Sequence, residues 1–143
     1  MLFGKKKRRI QRILVVEDEP LVAFDAEHLL ADSGFEIVAT TDLVSEGLAV
    51  VNSDAVIDLV LVDVSLSDGS GIDVARAAHG RGVPVLFVTG ACPDGAREVA
   101  IGCLAKPYPQ RDLLAAIEAL ETVLEGKTPR KLPGSLSLFP HAG

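Results

Sequence analysis

The chain has 143 residues, of which 48% are hydrophobic and 24% charged, so it fits one compact domain and is not disordered throughout. Its net charge is −6, but nine of its 14 basic residues lie in 1–12 and 127–143, where there are no acids. The strongly acidic part between them disfavours nucleic acid as a partner, because phosphate would be repelled. The apolar runs are too short to cross a membrane and no secretory signal is recognisable, so we expect a cytoplasmic protein without a membrane span.

The first half of the chain alternates between strand and helix patterns. An aliphatic run at 13–16 predicts a strand, and apolar residues recur every three or four positions from Pro20 until Ser33-Gly34, which predicts a helix. The same reasoning predicts a second strand at 36–40 and a shorter helix at 45–51. This alternation is typical of a parallel sheet whose strands are connected by helices.

The second half continues the alternation. Its strongest strand signal is the apolar run at 59–62, which ends at Asp63 and is followed by a glycine-rich turn. Beyond the turn, the pattern predicts helices over 72–78 and 110–124 and strands at 85–88 and 103–105. Five apolar strands among helices predict an α/β fold, a doubly wound, five-stranded parallel sheet of the flavodoxin-like kind.

These patterns divide the chain into one domain and two ends. The domain is expected over 11–125, preceded by a basic tail at 1–10 that we interpret as a solvated charged run. A proline-containing tail is expected over 126–143, because periodicity is weak there. The alternative left open is that Leu136, Leu138 and Phe139 dock onto the domain.

Two cysteines, Cys92 and Cys103, are neither spaced as a CxxC motif nor accompanied by a nearby histidine. The sequence therefore suggests neither a disulfide nor a zinc site. We interpret both residues as buried, free thiols.

Reactive polar residues follow four of the five predicted strands. Glu17 and Asp18 follow the first strand, Asp63 the third, Thr89 the fourth and Lys106 the fifth. Because the carboxyl ends of parallel strands share one edge of the sheet, these side chains are expected to meet there. Clustered carboxylates repel one another, so they predict a bound hard cation such as Mg²⁺. Such a site suits phosphate chemistry, in which one carboxylate attacks phosphorus.

In this order, the motifs resemble the receiver domain of two-component response regulators. The likeness covers about residues 11–125, and it is carried by 13–19 (ILVVEDE), 58–63 (DLVLVD), 66–71 (LSDGSG), 83–90 (VPVLFVTG) and 106–107 (KP). Each fragment alone is weak, whereas all of them in order, each at a strand end, are specific.

The resemblance implies a role for each site residue. Asp63 is expected to be the phosphoacceptor. A Mg²⁺ ion is expected to be held by Asp63, Glu17 and Asp18, with the backbone carbonyl of Ser65 as a further ligand. The family also implies that Thr89 and Lys106 bind the phosphoryl oxygens, that Gly90 leaves room for the phosphate and that the bond before Pro107 is cis. Glu19 is left out of the site, because an acid there suits the start of the following helix.

The sequence departs from the family pattern at three places. Cys103 occupies the position of an aromatic residue that normally moves together with the switch threonine. The segment between Thr89 and Lys106 is shorter than is typical, so we expect a short or frayed fourth helix around 96–101. Ser67 replaces a loop proline, which leaves the turn beside Asp63 less constrained.

We interpret the chain as a single-domain response regulator rather than an enzyme, with phosphotransfer and dephosphorylation limited to itself. The resemblance implies a sensor histidine kinase or phosphotransfer protein as donor and a downstream protein as target, with no DNA-binding output domain. One alternative is a pseudo-receiver that binds a protein without phosphorylation. The other is a Mg²⁺-dependent phosphohydrolase, but that class usually has an acid where this chain has Ser65.

Overall fold

A computed structural model describes residues 9–139 of the chain. Its strands are β1 (Arg12–Val16), β2 (Glu36–Thr41), β3 (Leu59–Val62), β4 (Ser65–Leu66), β5 (Gly69–Ser70), β6 (Val85–Thr89), β7 (Gly102–Ala105) and β8 (Leu136–Leu138). Its helices are α1 (Pro20–Asp32), α2 (Val44–Val51), α3 (Gly71–Gly80) and α4 (Gln110–Leu124). Among the described residues, no helix is both long and apolar enough to cross a bilayer.

The main sheet has the strand order β2-β1-β3-β6-β7-β8. The first five strands of this order run parallel, while β8 pairs antiparallel with β7. The predicted doubly wound parallel sheet is therefore confirmed. β4 and β5 form a separate two-residue antiparallel pair directly after the central strand β3.

Both faces of the parallel sheet are buried. Along β1, Ile13 and Val15 pack on one face with residues of α1 and α4, whereas Leu14 and Val16 pack on the other with residues of α2 and α3. Strands covered on both faces lack polar alternation, which explains why β1, β3 and β6 are continuous apolar runs in the sequence. The two layers of helices hold the carboxyl ends of the strands at one edge of the sheet.

Local signals fix the ends of two helices that flank the site. Gly34, with φ of 94°, ends α1 in the left-handed conformation, and its backbone N–H donates to Ala31 O at 3.1 Å. At the start of α3, the Ser70 side chain accepts a hydrogen bond from Ile72 N at 3.2 Å. These caps agree with the helix boundaries that the sequence predicts.

The predicted five-stranded sheet has a sixth strand, which the sequence reading placed in a tail. In β8, Leu136 is buried opposite Leu104, and the neighbouring Ser135 hydroxyl donates to Asp112 Oδ2 at 2.7 Å. Gly102 permits this approach, since a Cβ there would lie 2.9 Å from Ser137 O. Three residues among prolines show too little periodicity to predict a strand, so the alternative of docking describes this segment better.

The segment expected to hold a short fourth helix contains only a 3-10 turn, Ala96–Glu98. Ala96 and Ala100 are the buried contacts of this segment with the core. The expectation of a short helix is therefore confirmed. The connection from β6 to β7 thus packs through these two alanines and through half-buried Val99 and Ile101.

Candidate functional site

The sheet brings the ends of four strands, β1, β3, β6 and β7, together at one edge. The backbone ladder continues one residue past the strands, with Asp63 N donating to Val16 O at 2.9 Å and Lys106 N donating to Thr89 O at 2.9 Å. The side chains of Asp63 and Lys106 therefore emerge at the same edge, from rigid backbone. Glu17, Asp63 and Thr89 are buried polar residues at this edge.

The Lys106 ammonium lies at the centre of three carboxylates. Its Nζ donates to Asp63 Oδ2 at 2.8 Å, and Glu17 Oε1 and Oε2 lie 2.8 and 2.9 Å from it. The third partner is Glu19 Oε1, at 3.0 Å. Only about 11% of the Lys106 side chain is exposed, and Asp63 and Glu17 are more buried still, so solvent screens their contacts little.

Burial and charge shift the acid–base behaviour of this cluster. Burial would lower the pKa of Lys106, but hydrogen bonds to Asp63, Glu17 and Glu19 outweigh it and raise that pKa above its ordinary value. Burial raises the pKa of Glu17, and the hydrogen bond from Lys106 offsets this only in part. One ammonium thus faces three carboxylates, which leaves an excess of negative charge at the site.

Glu19 lies at the start of a helix, as predicted, but its side chain joins the cluster from which the sequence analysis left it out. Glu19 is the N-cap residue of α1, yet its side chain makes no capping hydrogen bond. It is 60% exposed and reaches across the edge of the sheet to Lys106. The direction of the chain between β1 and Pro20 places it there, and that direction is not encoded in residue type.

The other predicted metal ligands lie beside this cluster. Asp18 Oδ1 accepts a hydrogen bond from the Ser67 hydroxyl at 2.6 Å, which joins the loop after β1 to the loop after β3. Ser65 N approaches Asp63 Oδ1 at 3.4 Å. Thr89 is buried at the end of β6, and exposed Gly90 lines a cleft of about 400 Å³ with Lys106 and Pro107. The Lys106–Pro107 peptide bond is cis.

The donor atoms suit a small hard cation. Carboxylate oxygens of Glu17, Glu19 and Asp63 lie within 4.8 Å of one another. Mg²⁺ prefers oxygen ligands with an excess of negative charge. Asp18 follows Glu17 directly in the sequence and adds a further carboxylate to this part of the chain. The residues present therefore fit Mg²⁺, although Glu19 and not Asp18 completes the observed group of three.

Gly71 supports the site in a way that the sequence reading missed. Its backbone N–H donates to Val64 O at 2.7 Å, and a Cβ at this position would lie 1.8 Å from the backbone oxygen of Asp63. Only glycine allows α3 to begin so close to the residue that follows β3. The Asp-Gly-Ser-Gly turn was the available signal, but it indicates a turn rather than a contact.

Comparison with known proteins places this geometry in a family. The model of the response regulator receiver domain matches residues 13–118, most of the described chain. The chain belongs to the response regulator receiver family. The match covers every strand end of the acidic site, from Glu17 to Lys106.

Curated relatives of this receiver domain are regulators. It is 32% identical over 111 residues to the phyllosphere-induced regulator PhyR of Methylorubrum extorquens, covering 73% of this chain and 41% of that protein. It is also 32% identical over 114 residues to the transcriptional regulatory protein PdtaR of Mycobacterium tuberculosis, covering 76% and 55%. The chain thus spans about half the length of the curated relatives it matches.

Solved receiver structures share the fold. A CheY-like receiver domain protein from Methanospirillum hungatei matches with a TM-score of 0.72 and 27% identity, over 82% of this chain and 98% of that one. A receiver protein from Sinorhizobium medicae matches with a TM-score of 0.68 and 26% identity, over 78% and 94%. Two-component signalling is therefore the setting of this receiver domain.

The interpretation of the two cysteines as free thiols is wrong. Cys92 and Cys103 form a disulfide, with sulfur atoms 2.14 Å apart and Cα atoms 6.3 Å apart. The loop after β6 turns back over β7 and brings residues 11 positions apart into contact. Sequence spacing could not show this, because the return path of the loop decides the contact. In this receiver domain, the bond involves the residue that the resemblance identified as an altered switch position.

Proposed function

We propose that this receiver domain accepts a phosphoryl group on Asp63 from a phosphohistidine of a sensor kinase or a phosphotransfer protein. The supporting observation is the buried Asp63 carboxylate at the end of the central strand, 2.8 Å from the Lys106 ammonium. An Asp63 oxygen attacks phosphorus, the phosphorus–nitrogen bond breaks, and the histidine leaves. Attack by water on the acyl phosphate later releases phosphate and restores the carboxylate.

Mg²⁺ is the cofactor of the proposed reaction. Glu17, Asp18 and Asp63 would hold it together with the Ser65 backbone carbonyl, and Glu19 is close enough to contribute. Bound there, the ion supplies positive charge that lets a phosphoryl group approach an acidic site. The excess of carboxylates over ammonium at this edge supports the assignment.

Lys106 and Thr89 have separate roles in the proposal. Lys106 already donates to Asp63, and its raised pKa keeps it charged, so it can transfer a hydrogen bond to a phosphoryl oxygen. Thr89 ends the neighbouring strand and supplies a hydroxyl to a second oxygen. The exposed Gly90 adds no side chain to the cleft in front of them.

We infer that the output is protein binding. Phosphorylation adds about two negative charges at one edge of the sheet and so changes which loop arrangement is stable. Those loops include the segment between β6 and β7, which contains a single 3-10 turn. A downstream protein that contacts this segment would detect the modification.

Phosphorylation of the purified chain by acetyl phosphate tests the proposal. With Mg²⁺ present, intact mass should show one acid-labile phosphoryl group, and Asp63→Asn should remove it, reducing incorporation at least 20-fold. Asp73→Asn makes the same change at an exposed position on α3 and should retain full incorporation. Incorporation that survives Asp63→Asn, or that occurs equally in excess chelator, would contradict the assigned site or the assigned cofactor.

One observation favours a second candidate, the pseudo-receiver. The disulfide joins the loop after Thr89 to β7, and a restrained loop could bind a partner without phosphorylation. Equal affinity of a partner for the wild type and for Asp63→Asn, with and without phosphodonor, would support this candidate. A difference of tenfold or more after phosphorylation would support the response regulator.

A further inference from the structure

The disulfide lies between two residues of the proposed phosphorylation site. Cys92 is three positions after Thr89, and Cys103 is three positions before Lys106. Thr89 and Ala105 are paired across β6 and β7, and Lys106 N donates to Thr89 O. The disulfide therefore closes a loop over 92–103, which contains most of the connection from β6 to β7, and the ladder joins the two strands directly beside it.

The two sulfur-bearing residues differ in accessibility. Cys92 is exposed, whereas Cys103 is only 2% exposed and packs in the core beside Ala96 and Ala100. A thiol reagent in solution can therefore reach the disulfide at Cys92. When a thiolate attacks the Cys92 sulfur, Cys103 is the leaving group. Under oxidising conditions, Cys103 can attack Cys92 again and restore the disulfide.

Few other contacts hold the connection in place. Between Gly90 and Ile101, only Ala96 and Ala100 are buried, and an alanine side chain contributes little apolar area. The 3-10 turn has three residues, too few to be stable alone. Half-buried Val99 and Ile101 add partial contacts with the core. The disulfide adds a covalent restraint to these contacts, so breaking it should increase the freedom of the segment.

We propose that Cys92 and Cys103 are a reversible redox site that reacts with thiols and disulfides of the glutathione or dithiol class. In reduction, a thiolate of a dithiol attacks Cys92, the sulfur–sulfur bond breaks, and Cys103 leaves and takes up a proton. The second thiol of the reductant then displaces Cys92, so two electrons and two protons pass to the protein and the reductant becomes a disulfide. Glutathione disulfide reverses the reaction and yields two glutathione molecules.

The consequence for signalling rests on the proposed function. If Asp63 phosphorylation rearranges the loop after Thr89, a loop tied to β7 rearranges less than a free one. The oxidised protein would accept phosphate with a small change in this loop, and the reduced protein would show a large one. The site would thus make the response to phosphorylation depend on the thiol state around the protein.

Thiol alkylation followed by intact mass tests the redox reaction without any phosphodonor. The folded full chain is first incubated in reduced glutathione, excess dithiothreitol or glutathione disulfide, then quenched with acid and alkylated in denaturant, because Cys103 is buried in the folded chain. After either reductant it should take up two alkyl groups, and after glutathione disulfide it should take up none. The reaction should reverse when the buffers are exchanged. Two free thiols under all ratios, or a bond that resists excess dithiothreitol in the folded protein, would overturn the proposal.

Hydrogen exchange of the backbone tests the effect on the loop. Amides of 91–101 should exchange at least threefold faster in the reduced wild type than in the oxidised one, while α3 stays unchanged. Cys92→Ser alters an exposed residue and keeps the core residue Cys103, so it should fold and match the reduced wild type under both conditions. Equal exchange in both redox states would overturn the proposal.

Hydrogen exchange after phosphorylation by acetyl phosphate and Mg²⁺ tests whether the redox state changes the response of the loop. The exchange change caused by phosphorylation should be at least threefold larger in the reduced wild type and in Cys92→Ser than in the oxidised wild type. Equal changes in both redox states would overturn the coupling. Failure of phosphorylation in both redox states would refute the proposed function. Alkylation and hydrogen exchange without phosphodonor would still show whether Cys92 and Cys103 react reversibly and restrain the loop.

Discussion

Lys106 balances part of the negative charge at the candidate site. It contacts two buried carboxylates and one exposed carboxylate, each at 3.0 Å or less. Paired buried charges contribute little net stability, but removal of one partner is costly because the others stay desolvated. The same lysine therefore holds the site together and limits how tightly a metal ion can bind.

We predict that Lys106→Met lowers the free energy of unfolding by about 2 kcal/mol in chelator, since three carboxylates lose their counter-charge. Mg²⁺ should restore more stability to the variant than to the wild type, because the ion takes over the neutralising role. Urea denaturation with and without Mg²⁺ measures both effects. Lys127→Met, at an exposed position, should change stability by less than about 0.5 kcal/mol.

At the residue scale, the sequence predicts the chemical role of a side chain better than it predicts which residues that side chain contacts. Asp63, Thr89 and Lys106 were recognisable because each follows an apolar strand, and parallel strands end at one edge. Glu19 was not, because the direction of a few backbone bonds after β1 decides whether its side chain faces solvent or Lys106. The disulfide was missed for a related reason, since the loop path and not the spacing brings Cys92 to Cys103.

Among the elements, the junction of β3 and α3 is the most tightly constrained. α3 begins so close to Asp63 that its first residue has no room for a side chain. Any added atom must displace the backbone that carries the proposed phosphoacceptor. The junction thus couples the stability of a helix to the geometry of the site.

Gly71→Ala should therefore destabilise the protein by about 3 kcal/mol or more, and it should reduce phosphorylation of whatever folded protein remains. Gly80→Ala, at the other end of the same helix, meets no atom within 4 Å and has no positive φ. This control should be neutral or slightly stabilising. Thermal denaturation of both variants measures the contrast, and equal melting temperatures would show that the junction relaxes at little cost.

At the element scale, helix boundaries follow from sequence more readily than edge strands do. α4 was predicted over its exact range, because about four turns of apolar periodicity leave little ambiguity. β8 has only three residues, and its stability comes from pairing with β7 and burial of Leu136, neither of which is a local property. Short strands that depend on a partner lie beyond periodicity arguments.

Over the whole molecule, two layers of helices and one sheet were predictable from the alternation of apolar runs. The alternation fixes a parallel sheet, and the order of the acidic and basic strand ends matches the receiver family. The pairing of β8 with the edge of β7 was not predictable. β8 lies after residue 118, where the family match ends. β8 covers an edge that would otherwise offer unpaired backbone groups.

Leu136→Ala should test how much the packing of β8 contributes to the free energy of unfolding. Because Leu136 is the buried side chain of β8, we expect a loss of about 2 kcal/mol in unfolding free energy, at the lower end of the range for buried leucines. Leu132→Ala, in the exposed connection before β8, should cost less than about 0.5 kcal/mol. Chemical denaturation of both variants measures the difference, and similar losses would mean that β8 packs more weakly than its contacts indicate.

The antiparallel direction of β8 also determines where the described part of the chain ends. β8 starts near the acidic cluster and runs away from it, so Phe139 lies next to Ile101, at the same edge as the beginning of β1. A fluorophore or affinity handle attached at Arg9 or Phe139, the first and last residues that the structure describes, would lie at the end of the molecule remote from Asp63. Tethering the protein to a bead or a sensor chip through a cysteine introduced at Arg9 or Phe139 should therefore leave the edge that carries Asp63 facing away from the surface.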